Sequence, residues 1–260
     1  MFRNLQIEWM KIRHYRVFQV FSALYMIGII IIIYIVHNLY TKLTGRLTGR
    51  DNSDILNLFS ETTIWKTTCF STSFLLYLPG MILINLFVNE VNFKTHRQNI
   101  IDGWKRETFI YSKIMLNICF AVVITLMNVI AAAVMCGVTG VHFSLAAGIE
   151  TLGLSFIQSF VYLMFALLLA TLFRRSGVAL IIFFVYGLLI EFLLMLLFWK
   201  IAPGLQHFLP LQVSDSLISY PDMGGIFADR PELWIMVVAS FAFAGIYTYF
   251  TTRKYKYDDL

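Results

Sequence analysis

Glu191 carries the strongest chemical demand in this sequence, because it sits in the middle of the apolar run Val178–Trp199. An ionised carboxylate at the centre of a hydrocarbon layer costs roughly 2.5–3.5 kcal/mol even on insertion scales. Such a group must be protonated, paired or turned toward water. Two roles are open to it: lining a polar pathway, or hydrogen bonding one helix to another.

Most other chemistry is excluded by pattern. His14, His37, His96, His142 and His207 are scattered over different segments, and Cys69, Cys119 and Cys136 show no paired or metal-ligand spacing. The cysteines read as small buried apolar residues. No H-E-x-x-H, no G-x-S-x-G and no G-x-x-x-x-G-K-[ST] phosphate loop is present. The chain therefore carries no motif for hydrolysing ATP itself, and no catalytic residue or metal ligand is assigned. Asp102-Gly103 with Lys105-Arg106 superficially resembles a lipid-headgroup transferase, but the further aspartates needed to hold its metal do not follow.

The elements that must position Glu191 are long apolar runs. Val17–Tyr40, Cys69–Val88, Ile114–Met135, Leu152–Phe173, Val178–Trp199 and Leu233–Thr252 are separated by short polar segments. A helix of about 20 residues is roughly 30 Å long, the thickness of a bilayer's hydrocarbon core. With 59% hydrophobic and 13% charged residues, the chain reads as an all-α polytopic membrane protein of six spans, a single domain over residues 1–260.

Charge orients it. With the N-terminus inside, 14 Lys and Arg fall on inner segments and 6 on outer ones. The positive-inside rule then puts both termini in the cytoplasm. The net charge of +5 follows from this asymmetry, so no nucleic acid partner is expected. Trp65, Trp199 and Trp234 fall at the outer ends of the second, fifth and sixth runs, where indoles prefer the headgroup layer.

Between the spans, composition predicts smaller elements. Phe2, Leu5, Trp9 and Ile12 at helical spacing, with Arg3, Lys11, Arg13 and Arg16, predict an interfacial helix over residues 2–16. Pro79-Gly80 predicts a kink in the second span. In the inner loop, residues 89–113, Thr95-x-x-Gln98 reads as a capping box and Asp102-Gly103 as a stop. Leu205–Ser219 is apolar but too short to cross, with Pro203, Pro210 and Pro221 around it. That length predicts a re-entrant or interfacial helical pair buried against protein. Asn117, Thr125 and Asn128 form one polar stripe on the third span, and Ser155, Gln158, Ser159 and Tyr162 another on the fourth. Hydrogen bonding between helices is the favoured use of both, with a polar-lined pathway or substrate site as the alternative.

The chain resembles a permease subunit of the ABC type-2 exporter family over essentially its whole length. The resemblance rests on the basic amphipathic start Glu8-Trp9-Met10-Lys11-Ile12-Arg13, the six spans, and the loop after the second. That loop carries Glu90, Lys94-Thr95, a helical stretch, then Arg106 and Ser112-Lys113. It is similar to the family's acidic residue, Gly-Thr, apolar helix, Pro-x-x-Arg and small-Lys pattern. Lys94 stands where Gly is usual, and Gly103 near the usual Pro.

The resemblance implies two partner ATPase subunits in the cytoplasm, with ATP and Mg bound there and no cofactor on this chain. It also implies a second permease copy, as homodimer or heterodimer, in a bacterial inner membrane among its lipids. The coupling helix would lie within residues 90–106, making Glu90, Thr95, Arg97, Ile100, Ile101, Trp104 and Arg106 the ATPase-coupling residues. Tyr25, Asn85 and Glu191 would line the pathway, and a lipid, peptide or amphipathic compound would be exported. An ion-coupled secondary transporter or channel is the alternative, although no inverted repeat is detectable.

Overall fold

A computed structural model describes residues 9–10, 12, 15–46, 60–61, 63–95, 106–218 and 230–257. These residues hold helices and turns and no strand, and a helix is one of the two ways a chain in hydrocarbon can pair every backbone N–H and C=O. Six helices are long and apolar enough to cross a membrane: Arg16–Leu39, Thr63–Asn92, Glu107–Thr139, Leu145–Phe173, Ser176–Ile201 and Leu233–Lys256. Each agrees with a sequence-derived span in number and order. Several run further than the hydrophobic pattern suggests. The first continues as helix to Arg46, and the third begins at Arg106, not Ile114. Helix formers outside the apolar window extend each cylinder without changing what lies in hydrocarbon.

The fourth span is the hub. Its most apolar window is 67% buried within the fold, against 11% for the first span and 17% for the fifth. Its Leu163, Met164, Ala166 and Leu167 meet Tyr77, Ile84 and Phe87 of the second span and Tyr247 of the sixth in one core. The polar stripes stitch this hub. Asn128 of the third span donates to Ser155 at 2.7 Å and accepts from Thr72 of the second at 2.8 Å. Asn117 donates to the Leu163 carbonyl at 3.3 Å. Thr125 instead bonds its own helix at Ala121.

Helix ends follow their residues. The third span stops at Gly140, whose φ of +76° suits only glycine without strain, with its N–H donating to Cys136. The fourth stops at Arg174, at φ +48°, and Ser176 already opens the fifth. In the second span a 3-10 turn at Phe74–Leu76 interrupts the helix. It falls where the Pro79 ring would strike the carbonyl four residues earlier, so the expected break lies one turn before the proline.

Trp65 corrects an expectation. It is fully buried against protein, not open to the headgroup layer, although it stands two residues from the start of the second span at Thr63. Its indole lies where a side chain at Gly148 would have to sit, and Phe143 packs at 5.4 Å. Trp199 and Trp234 are exposed, as an aromatic belt requires. Cys69 and Cys136 are buried, whereas Cys119 is half-buried.

Candidate functional site

The fifth span changes pitch just before Glu191. Residues Tyr186–Ile190 form a π turn, and Glu191 opens the next α stretch. A π turn inserts one extra residue per loop of backbone and rotates the side chains beyond it, and it recurs at functional positions. Gly187 sits in this turn, where any Cβ would collide with the Tyr77 hydroxyl, so the two spans touch there.

The re-aimed Glu191 is 3% exposed. Its Oε1 accepts from the backbone N–H groups of Leu211 at 2.6 Å and Gln212 at 2.8 Å. Those amides begin the short helix Gln212–Asp215, which comes after the 3-10 turn Leu205–Phe208 and the break at Pro210. The segment predicted to fold as a helical pair does so, with Leu211, Val213, Leu217 and Ile218 buried. Tyr247 of the sixth span donates to the Pro210 carbonyl at 2.9 Å. At the other end of the turn, Asp215 accepts from Gln158 and Tyr162 of the fourth span, each at 2.9 Å. Three spans thus hold one buried turn by side-chain hydrogen bonds.

Burial pushes the Asp215 carboxyl up to about 6, while the Gln158 and Tyr162 donors pull the other way. Around these groups lies a cavity of about 280 Å³, walled by Phe70, Phe74, Tyr77 and Phe192, with Arg230 also on its lining. A pocket with apolar walls and a few convergent polar groups can orient an amphipathic molecule.

The three pathway candidates do not come together. Glu191 lines this polar cavity. Asn85 is half-buried and turns its amide back to Met81 of its own helix at 2.9 Å. Tyr25 is 7% exposed and lines a different, apolar cavity between the first three spans. Sequence reasoning missed Asp215 as a site residue and favoured packing over a polar pathway for Gln158 and Tyr162. An acid inside the apolar segment Leu205–Ser219 was the available signal.

On the opposite face, the ends of the inner loop are clamped. Glu90 closes the second span and meets Lys113 of the third at 2.6 Å, both nearly buried. Lys113 also lies 5.0 Å from the centre of the Phe109 ring, which stacks on Tyr255 of the sixth span. Asn89 donates to the Tyr15 hydroxyl, and Lys256 pairs with Glu107 at 2.8 Å. The N-terminal end, the inner loop and the C-terminal end therefore share one face.

Lys94 has φ +55°, just past the helix end. Glycine adopts that backbone conformation most readily, in keeping with the glycine that the resemblance led one to expect there. Thr95 donates its hydroxyl to the Glu90 carbonyl at 3.2 Å. Arg106 opens the third-span helix. Arg97, Ile100, Ile101, Trp104 and the expected cap and stop residues Gln98 and Asp102 lie outside the described residues, as does most of the interfacial helix. Of that helix, Trp9, Met10 and Ile12 are helical, and Ile12 is buried.

A search of the curated proteins finds no match to this chain. Residues 4–190 match the family described as ABC-2 family transporter protein, a stretch that runs from the N-terminal basic segment through the clamped inner loop to the π turn. With six apolar spans in the expected order and a match over most of its length, the chain belongs to the ABC-2 family of transporter proteins.

Proposed function

We propose that this chain is the transmembrane permease subunit of an ATP-driven exporter that moves a lipid, peptide or amphipathic compound. ATP and Mg are held by two separate cytoplasmic ATPase subunits, and a second permease, identical or homologous, completes the transporter. The observation that carries this reading is the clamped inner loop. A loop meant only to connect two spans has no need of a buried ion pair across its mouth, whereas a loop that receives force from a partner must pass it to both spans. The Glu90–Lys113 pair ties the second span to the third, and the Phe109–Tyr255 stack ties the third to the sixth, which supports such a role.

In this reading Glu90, Thr95, Arg97, Ile100, Ile101, Trp104 and Arg106 meet the ATPase. Glu191 belongs to the polar outer cavity, and Tyr25 and Asn85 remain pathway candidates. The ion-coupled alternative asks for a carboxylate free to exchange its ion, and Glu191 already accepts two backbone hydrogen bonds.

The test is an Ile100→Asp, Trp104→Ala double variant assayed for co-purification with the cognate ATPase, for hydrolysis rate and for transport. Loss of coupling with normal membrane insertion is expected. Unchanged ATPase binding and unchanged coupled transport would overturn the reading.

A further inference from the structure

Glu191 spends only one of its two oxygens on the buried turn. Both backbone donors, from Leu211 and Gln212, fall on Oε1. Oε2 takes no hydrogen bond among the described residues and is not sealed away, so it opens on the cavity of about 280 Å³ that Glu191 lines. Asp215 lines the same cavity and is half-buried, with Gln158 and Tyr162 donating to it. Against these two acids the described lining sets one guanidinium, that of Arg230. An acceptor in apolar surroundings is costly until a donor reaches it.

The same cavity is rich in rings. Phe70, Phe74, Tyr77, Tyr162 and Phe192 line it together with the two acids. Phe70 and Phe74 meet edge to face at 5.5 Å, and Tyr77 and Tyr162 do so at 5.7 Å. Aromatic faces attract cations. Toward the membrane the lining becomes hydrocarbon, where Phe74, Leu188 and Phe192 are each more than half exposed. They come from the 3-10 turn of the second span, the π turn of the fifth and the residue pair just beyond it. Polarity therefore runs from acids within to apolar side chains at the rim. The volume lies just under the range of about 300–1,000 Å³ usual for small-molecule sites. Such a space takes a head group and leaves the body of a larger molecule at the rim.

We propose that this cavity receives the cationic head of the transported compound, a protonated amine or a guanidinium on an apolar body. An N–H of the head donates to Glu191 Oε2, aromatic rings flank the charge, and the body lies along Phe74, Leu188 and Phe192. An anionic head would meet two carboxyls at the same place. The assignment rests on reading the chain as an exporter's permease, and it narrows the cargo to organic cations.

The experiment uses the purified transporter in a maltoside detergent, without nucleotide, and probes of one shape: phenylbutylamine, its trimethylammonium analogue, phenylbutanol and phenylbutyrate. Titration calorimetry should rank the amine first and the trimethylammonium ion, which has no N–H, second. The alcohol should bind at least about tenfold more weakly than the amine, and the carboxylate weakest of all. Glu191→Gln should weaken the amine about tenfold and leave the alcohol unchanged. Phe192→Leu, a change at an exposed position, should weaken both cations about threefold. Equal affinity for amine and alcohol, tighter binding of the carboxylate, or an amine affinity unchanged in Glu191→Gln would overturn the site. With the cognate ATPase and ATP added, the amine should alter the hydrolysis rate of the wild-type complex. An amine that binds at Glu191 and leaves that rate unchanged would overturn its place as cargo. The Ile100→Asp, Trp104→Ala variant should still bind the amine. If its hydrolysis responds as the wild type's does, the coupling reading fails and the cation site stands.

Discussion

Two buried glutamates, near opposite faces of the bundle, solve the same problem by different means. Glu90 meets a cation, the Lys113 ammonium at 2.6 Å. Glu191 meets two backbone N–H groups instead. A charge pair transmits push and pull between two helices while the side chains stay in contact. A carboxylate on backbone amides fixes the fold of the turn that owns those amides. Burial of a charge therefore does not announce its task, because the partner does. At one face the partner is another span, and at the other it is a short buried turn.

Lys113→Met should disturb this contrast most. Removing one member of a buried pair leaves the other uncompensated and costs about 3–5 kcal/mol. A detergent melting curve should show a large drop, and the Glu90→Gln, Lys113→Met double variant should recover much of it. Equal losses in the single and double variants would mean that the pair is not the reason for the cost.

Glu191→Leu comes next. It strips the acceptor from the Leu211 and Gln212 amides, and buried unsatisfied donors cost about 1–3 kcal/mol each. Glu191→Gln keeps a carbonyl in place and should lose little stability. If the cavity serves transport, Gln should still alter transport or substrate-stimulated hydrolysis. Normal transport in both variants would leave Glu191 with a structural task alone.

A smaller effect is expected from Asp215. Its folded-state carboxyl, raised from 3.8 to about 6, favours the protonated form. Stability from this group is therefore complete below the unfolded value and is lost as pH rises through about 6. Melting temperatures between about pH 4 and pH 7 should decline in the wild type, and Asp215→Asn should remove that slope. A slope that survives the substitution would assign it elsewhere.

Lys94→Gly is the smallest. A non-glycine residue in the left-handed region is strained by roughly 1–2 kcal/mol, partly offset by the greater freedom of glycine when unfolded. A gain of about 0.5 kcal/mol is expected. A loss would show that the Lys94 side chain holds a contact worth more than the strain.

Much of the fold was legible because hydrocarbon enforces one rule on every span: long apolar runs must be helices. Leu205–Ser219 was equally legible as a short buried pair, from length and prolines alone. What sequence could not supply was which partner each polar residue finds. Gln158 and Tyr162 fit a helix-to-helix stripe by spacing, but their acceptor is Asp215, on a segment more than fifty residues away. Trp65 looked interfacial because the apolar run begins after it, yet the helix begins before it. The π turn at Tyr186–Ile190 leaves only Gly187 as a mark in composition, and a glycine inside an apolar helix marks close packing as readily as a change of pitch. Tyr25, Asn85 and Glu191 were grouped through the resemblance, and the pitch and rotation of three separate helices send them to different places.

The connection between the fourth and fifth spans dictates how the chain is made. Arg174 and Arg175 are all that separates Phe173 from Ser176, and Arg174 takes the left-handed turn that reverses direction. A turn this short leaves no length for its two limbs to insert apart, whichever side of the membrane it lies on. The fourth and fifth spans therefore enter as one helical hairpin. The most buried span of the molecule then has one flank covered by its own chain neighbour.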